Sequence, residues 1–169
     1  DSDITYYFVK GIVTSYSNHA KTFSLTSDVG ETYELPADTD INITDYLNTE
    51  AHIWYSEDSQ KNLKLLAFSP QIFWEHINEL ESDEQILDGA TEIDGTLSKY
   101  ISFWLTEDKI FVSLLFIEDN NGDTHIYTED DSCINCNGSI FFKTCIDYIK
   151  LYEGMYLKSQ VYDNFNVAY

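Results

Sequence analysis

The sequence has no arginine, only two prolines, one methionine and three cysteines in 169 residues, and its nine cationic side chains are all lysine. Each shortage excludes something. Without arginine there is no guanidinium clamp for a phosphate or carboxylate substrate. Nine lysines against 30 acids leave a net charge of -21. A protein that binds nucleic acid by neutralising phosphates needs the opposite surface. Three cysteines give no disulfide framework and mildly favour a reducing compartment. No apolar run approaches the ~18 residues of a membrane-spanning helix. The P-loop, the dinucleotide fingerprint, H-E-x-x-H and G-x-S-x-G are absent, and none of His19, His52, His76 and His125 stands at a spacing that suggests an activated nucleophile. The expectation is therefore a protein that is not an enzyme and carries no cofactor.

What is present is apolar and aromatic: 43% hydrophobic residues and 15% aromatics, including 13 tyrosines. This composition supports a packed core despite the charge, since disordered acidic chains are poor in aromatics. The charge is uneven. Residues 1–70 carry -7, residues 71–95 carry -8 without a lysine, and residues 96–169 carry -6. A folded chain of this mass exposes roughly 8,600 Å², so its carboxylates average about one per 290 Å². B-DNA, taken as a cylinder of roughly 10 Å radius, carries about one charge per 110 Å². The average acidity cannot imitate DNA; clustering on one face could.

Four matches recur in the same order in both halves. Val9-Lys10-Gly11-Ile12-Val13 pairs with Ile93-Asp94-Gly95-Thr96-Leu97, and Gly30-Glu31-Thr32-Tyr33 with Gly122-Asp123-Thr124-His125. Asp45-Tyr46-Leu47 pairs with Asp147-Tyr148-Ile149, and the run from Asn62 to Phe68 with the run from Asn164 to Tyr169. Their offsets, 84, 92, 102 and 102, are those of a degenerate duplication. Each half reads as five short strands with a helical element between the third and fourth: a turn near Thr44 to Leu47 in the first, a helix capped by Ser139 and running through Leu151 in the second. Hairpin signals stand at Asp28-Val29-Gly30 and Asn121-Gly122. The fold expected is mainly β: two tandem OB-like five-stranded barrels, residues 1–69 and 91–169, joined by an acidic linker helix over 70–90. An SH3-like barrel shares much of this strand pattern. Ser69 is placed to cap the linker helix, Pro70 to open it and Gly89 to end it.

The candidate partner-binding residues are the acids of the lysine-free segment: Glu75, Glu79, Glu81, Asp83, Glu84, Asp88, Glu92 and Asp94. On a helix, Glu75, Glu79 and Asp83 stack about 6 Å apart along the axis. The partner expected is a basic protein, in the sharpest form a nucleic-acid-binding enzyme whose groove the chain fills as a DNA mimic, in the manner of phage anti-restriction and anti-CRISPR inhibitors; the location is then the host cytoplasm. The alternative is a periplasmic or surface domain that binds a ligand or polypeptide and is acidic for solubility. Its start at Asp1, without Met, is what removal of a tag or signal peptide leaves.

Three further patterns have ordinary readings beside functional ones. Cys133, Cys136 and Cys145 with His125 make a Cys₃His zinc site arithmetically available, beside a disulfide or free thiols. Asp119 to Asp123 invites a calcium reading, but aligning Gly122 with the loop glycine puts Ile117 at the first ligand position, and a hairpin turn explains the residues. Tyr6, Tyr7, Tyr33, Trp54 and Tyr55 could form a base-stacking platform, but without a positive groove core packing is the better reading.

Overall fold

A computed structural model describes residues 3–37, 42–70, 91–107, 109–130, 140–142 and 152–161. Alternating or continuous β-branched and aromatic residues form ten strands. The first unit contains β1 (Thr5–Ser17), β2 (Thr22–Ser27), β3 (Thr32–Pro36), β4 (Glu50–Glu57) and β5 (Leu63–Pro70), with a 3-10 turn at Ile43–Tyr46 before β4. The second contains β6 (Thr91–Leu105), β7 (Ile110–Asp119), β8 (Thr124–Asp130), β9 (Ile140–Phe142) and β10 (Tyr156–Val161). All ladders are antiparallel. The strand orders are β3-β2-β1-β4-β5 and β8-β7-β6-β10-β9. The chain divides into two compact units, one holding β1 to β5 and the other β6 to β10.

In the first unit one face of the sheet carries most of the core, and β4 is buried on both faces. Val9, Val13, Phe23, Leu25, Leu35, Ala51, Ile53 and Phe68 are buried, and Ile43 of the 3-10 turn joins them. Phe23 on β2 meets Phe68 on β5 edge to face, centroids 5.7 Å apart, although two strands separate them in the sheet. The sheet must curl to bring them together, and β3 approaches β5 in consequence. No ladder joins those two strands among the described residues, so hydrogen bonding leaves the curl open. Burying two phenylalanines this way is worth roughly 1.5–3 kcal/mol each.

The second unit repeats this skeleton. Gly11 and Gly95 occupy the same place on β1 and β6, and a Cβ on either would overlap a partner-strand carbonyl, that of Thr26 or Glu118. Two residues later both strands bulge, between Val13 and Ser15 and between Leu97 and Lys99. The extra residue in each is a hydroxyl donor: Thr14 Oγ1 bonds Ser24 O at 3.2 Å, and Ser98 Oγ bonds Phe116 O at 3.1 Å. Both first hairpins end on a lysine at φ 56°, Lys21 and Lys109. Gly30 and Gly122 then close matching turns at φ 87° and 86°, each N–H bonding a carbonyl three residues back, Ser27 O at 2.9 Å and Asp119 O at 3.1 Å. These are three-residue hairpin loops ending on a left-handed glycine, rather than the two-residue form that Asn121-Gly122 suggests.

The entry to the fourth place also repeats. Val13 N bonds Thr49 O and Asn48 N bonds Val13 O; Leu97 N bonds Met155 O and Gly154 N bonds Leu97 O. Asn48 and Gly154 both have positive φ. The offset there is 106, so Tyr46 corresponds to Tyr152 and not to Tyr148 as the 102-residue match implies.

Other expectations are corrected. Ser69 and Pro70 do not open a helix. They end β5, opposite His52 and Ala51, and proline is tolerated there because β5 is an edge strand. Ile93 to Leu97 and Phe103 to Leu105, which read as two short strands in the sequence, are one strand, β6. Ile140–Phe142, assigned above to a helix, pairs with β10 over Ser159↔Phe142 to Val161↔Ile140; its β-branched and aromatic triplet satisfies a strand as well as a helical stripe, and the ladder decides. The fifth place of the second sheet thus belongs to β9, which precedes β10 in the chain. The expected linker helix (71–90), the rest of the second helix (143–150) and the last expected strand (Phe165 to Tyr169) lie outside the described residues.

Candidate functional site

Of the eight candidate acids, Glu75, Glu79, Glu81, Asp83, Glu84 and Asp88 lie outside the described residues. Glu92 and Asp94 lie on β6, in register with Gln160 and Lys158 of β10. Asp94 thus stands on a strand, in register with Lys158.

The structure assembles a different site, at the end of β1 away from the 3-10 turn. A pocket of about 370 Å³ is lined by Tyr7, Thr32, Tyr33, Glu34, Leu35, Tyr55, Glu57 and Leu63. Four strands supply it, because the curl that brings Phe23 to Phe68 also brings the β3 edge to the β5 edge. Tyr7 and Tyr55 face each other across the β1–β4 ladder. Their rings stack at 5.1 Å and 20°. Tyr7 is 38% exposed and Tyr55 only 9%. The Tyr55 hydroxyl has no hydrogen-bond partner among the described residues. Burial raises its pKa above the ordinary phenol value, with Tyr33, Tyr7 and Glu57 adding to the shift. Glu57 Oε1 lies 3.9 Å from the highly exposed Lys61 Nζ, four residues on, an arrangement that contributes little at a surface.

Sequence reasoning names Tyr7, Tyr33 and Tyr55 but assigns them, with Tyr6 and Trp54, to core packing. That holds for Trp54, which is fully buried against Phe8, centroids 5.3 Å apart. It does not hold for Tyr7 and Tyr33, which line an open pocket. A period of two places residues on a face; it does not say which strand ends meet.

At the corresponding turn of the second unit the polar chemistry differs. His125 stands where Tyr33 stands in the first. Its Nε2 donates to Asp119 Oδ2 at 2.8 Å. Asp119 Oδ1 also accepts the backbone N–H groups of Asn121 and Asp123 at 2.8 and 3.0 Å. The His125 bond, helped by the backbone donors, holds the Asp119 carboxyl below its usual range. Asp58 makes the same turn after β4, accepting from Gln60 and Asn62 at 2.9 Å each. These aspartates are turn-builders rather than ion ligands. No group of three potential metal-ligating side chains occurs among the described residues; the three cysteines lie outside them. No helix among the described residues is long and apolar enough to cross a membrane. No family model, curated protein or solved structure matches the chain.

Proposed function

We propose that the chain is a non-enzymatic, acidic protein-binding module whose partner is a basic protein, in its sharpest form an inhibitor that occupies the nucleic-acid-binding surface of a host defence enzyme. The observation that carries the reading is the distribution of charge: eight acids and no lysine over 71–95, in a chain without arginine. Two antiparallel five-stranded sheets flank this segment in the chain; the first has the strand order of an unrolled OB-like barrel, a fold used for binding, and in the second the last two strands exchange places. We take both units as OB-like and the acidic segment as the helix between them. Complementary charge of this kind accelerates encounter and selects partners.

The test is competition. The chain is immobilised, proteins captured from host lysate are identified by mass, and each captured partner is challenged with duplex DNA. A nucleic-acid-binding partner that DNA displaces supports the reading. Partners that are not basic, or that bind DNA and the chain at once without mutual displacement, contradict it.

A further inference from the structure

The Tyr7–Tyr33–Tyr55 pocket has features that acidity for solubility does not require. Its lining residues include three tyrosines and two acids, Glu34 and Glu57, and no lysine. Its most buried ring, Tyr55, carries a hydroxyl that nothing among the described residues satisfies. A hydroxyl at a pocket with no protein partner is open to a ligand as donor and acceptor. The raised pKa of Tyr55 reflects the same surroundings, burial first and then the neighbouring Tyr33, Tyr7 and Glu57. Aromatic faces and carboxylates together attract cations.

We propose that this pocket receives the guanidinium of an arginine side chain presented by a polypeptide partner. The inference rests on the reading of a basic partner and supplies it with a specific contact. Three observations select guanidinium over ammonium. Tyr7 and Tyr55 are near-parallel plates, and Tyr7 keeps over a third of its surface open; a planar, weakly hydrated guanidinium can extend such a stack, whereas a compact ammonium stays hydrated. Glu57 and the Tyr55 oxygen supply acceptors at the pocket, suited to a cation with five N–H donors. The chain itself holds no arginine, so no internal side chain of that type competes. At the corresponding place in the second unit His125 replaces Tyr33, and its ring is engaged with Asp119.

The experiment titrates the full chain, at low salt, with two short capped peptides that differ only in carrying one arginine or one lysine, while the tyrosine side-chain signals are followed by NMR. The expected result is a perturbation centred on Tyr7, Tyr33 and Tyr55, with the arginine peptide binding at least about threefold more tightly. Glu57→Gln, nearly isosteric, and Tyr7→Ala, at a half-exposed ring, should each weaken the arginine peptide about three- to tenfold. Lys61→Ala, which removes the nearby lysine, should strengthen it. Equal affinity for the two peptides, or perturbation elsewhere with Tyr7, Tyr33 and Tyr55 unmoved, overturns the proposal. The wider reading fails differently: the pocket would bind the arginine peptide while no captured partner competes with DNA.

Discussion

The two sheets share a skeleton through their first four places, differ in which strand fills the fifth, and carry different polar groups. Glycine under a carbonyl, a bulge bonded by a hydroxyl, a left-handed lysine, a left-handed hairpin glycine and an asparagine or glycine at the entry to the fourth place recur in order at offsets of 84, 84, 88, 92 and 106. What differs lies at the ends. The β6–β7 ladder runs four pairs further past its bulge than the β1–β2 ladder. That extension carries Phe103 and the half-exposed Trp104. The first sheet instead gathers tyrosines into a pocket, and the second ties His125 to Asp119. Backbone constraints allow few residues; side chains at sheet ends are free to diverge, and binding chemistry resides there.

Substitutions at matched positions can break or sharpen this comparison. The largest effects belong to the core. Phe23 and its counterpart Leu115 are both buried, and Phe23→Ala and Leu115→Ala should each cost about 2–5 kcal/mol by chemical denaturation. A loss at only one site would mean that the two cores are not equivalent. Gly11→Ala and Gly95→Ala come next. Each forces a methyl into a backbone carbonyl that cannot swing aside, and a similar destabilisation of about 1–3 kcal/mol or more is expected for both. Tyr55→Phe should be smaller still: its hydroxyl has no hydrogen-bond partner among the described residues to lose, so thermal stability should stay nearly unchanged.

The smallest effect distinguishes the turns by pH. Asp119 has a folded pKa below its unfolded one, so the stability it contributes is present above the ordinary carboxylate range and is lost as pH falls through the depressed value. In His125→Ala its titration, followed by carboxyl NMR, should move up toward the ordinary range. Ser27, at the same place in the first sheet, does not titrate, so the Ser27 turn should lack this acid sensitivity. An Asp119 titration unchanged in His125→Ala would show that the backbone donors alone set it.

Most of the strands were legible because half-buried sheets enforce a period of two, and Gly11 and Gly95 marked the repeat. Three things were not. The triplet Ile140–Phe142 fits a helical stripe and a strand equally, and only the partner β10 decides. The match of Tyr46 to Tyr148 relied on residue identity, whereas Asn48 and Gly154, the types that tolerate a left-handed backbone, point to Tyr152. The pocket was hidden because its three tyrosines come from three strands, and their meeting depends on the curl of the sheet. The acids of 71–88 were found by counting charge, which says how much is there but not what it faces.

The central claim is that the acidic segment meets a basic partner, and charge reversal tests it most directly. Captured partners are measured on the wild-type chain and on the triple variant Glu75→Lys, Glu79→Lys, Asp83→Lys, each at about 0.1 M and 1 M salt, where screening lengths are roughly 10 and 3 Å. The account predicts strong capture by the wild-type chain at low salt, steep loss at high salt, and no capture by the variant with little change in thermal stability. Capture that persists at 1 M salt and survives the reversal would contradict it.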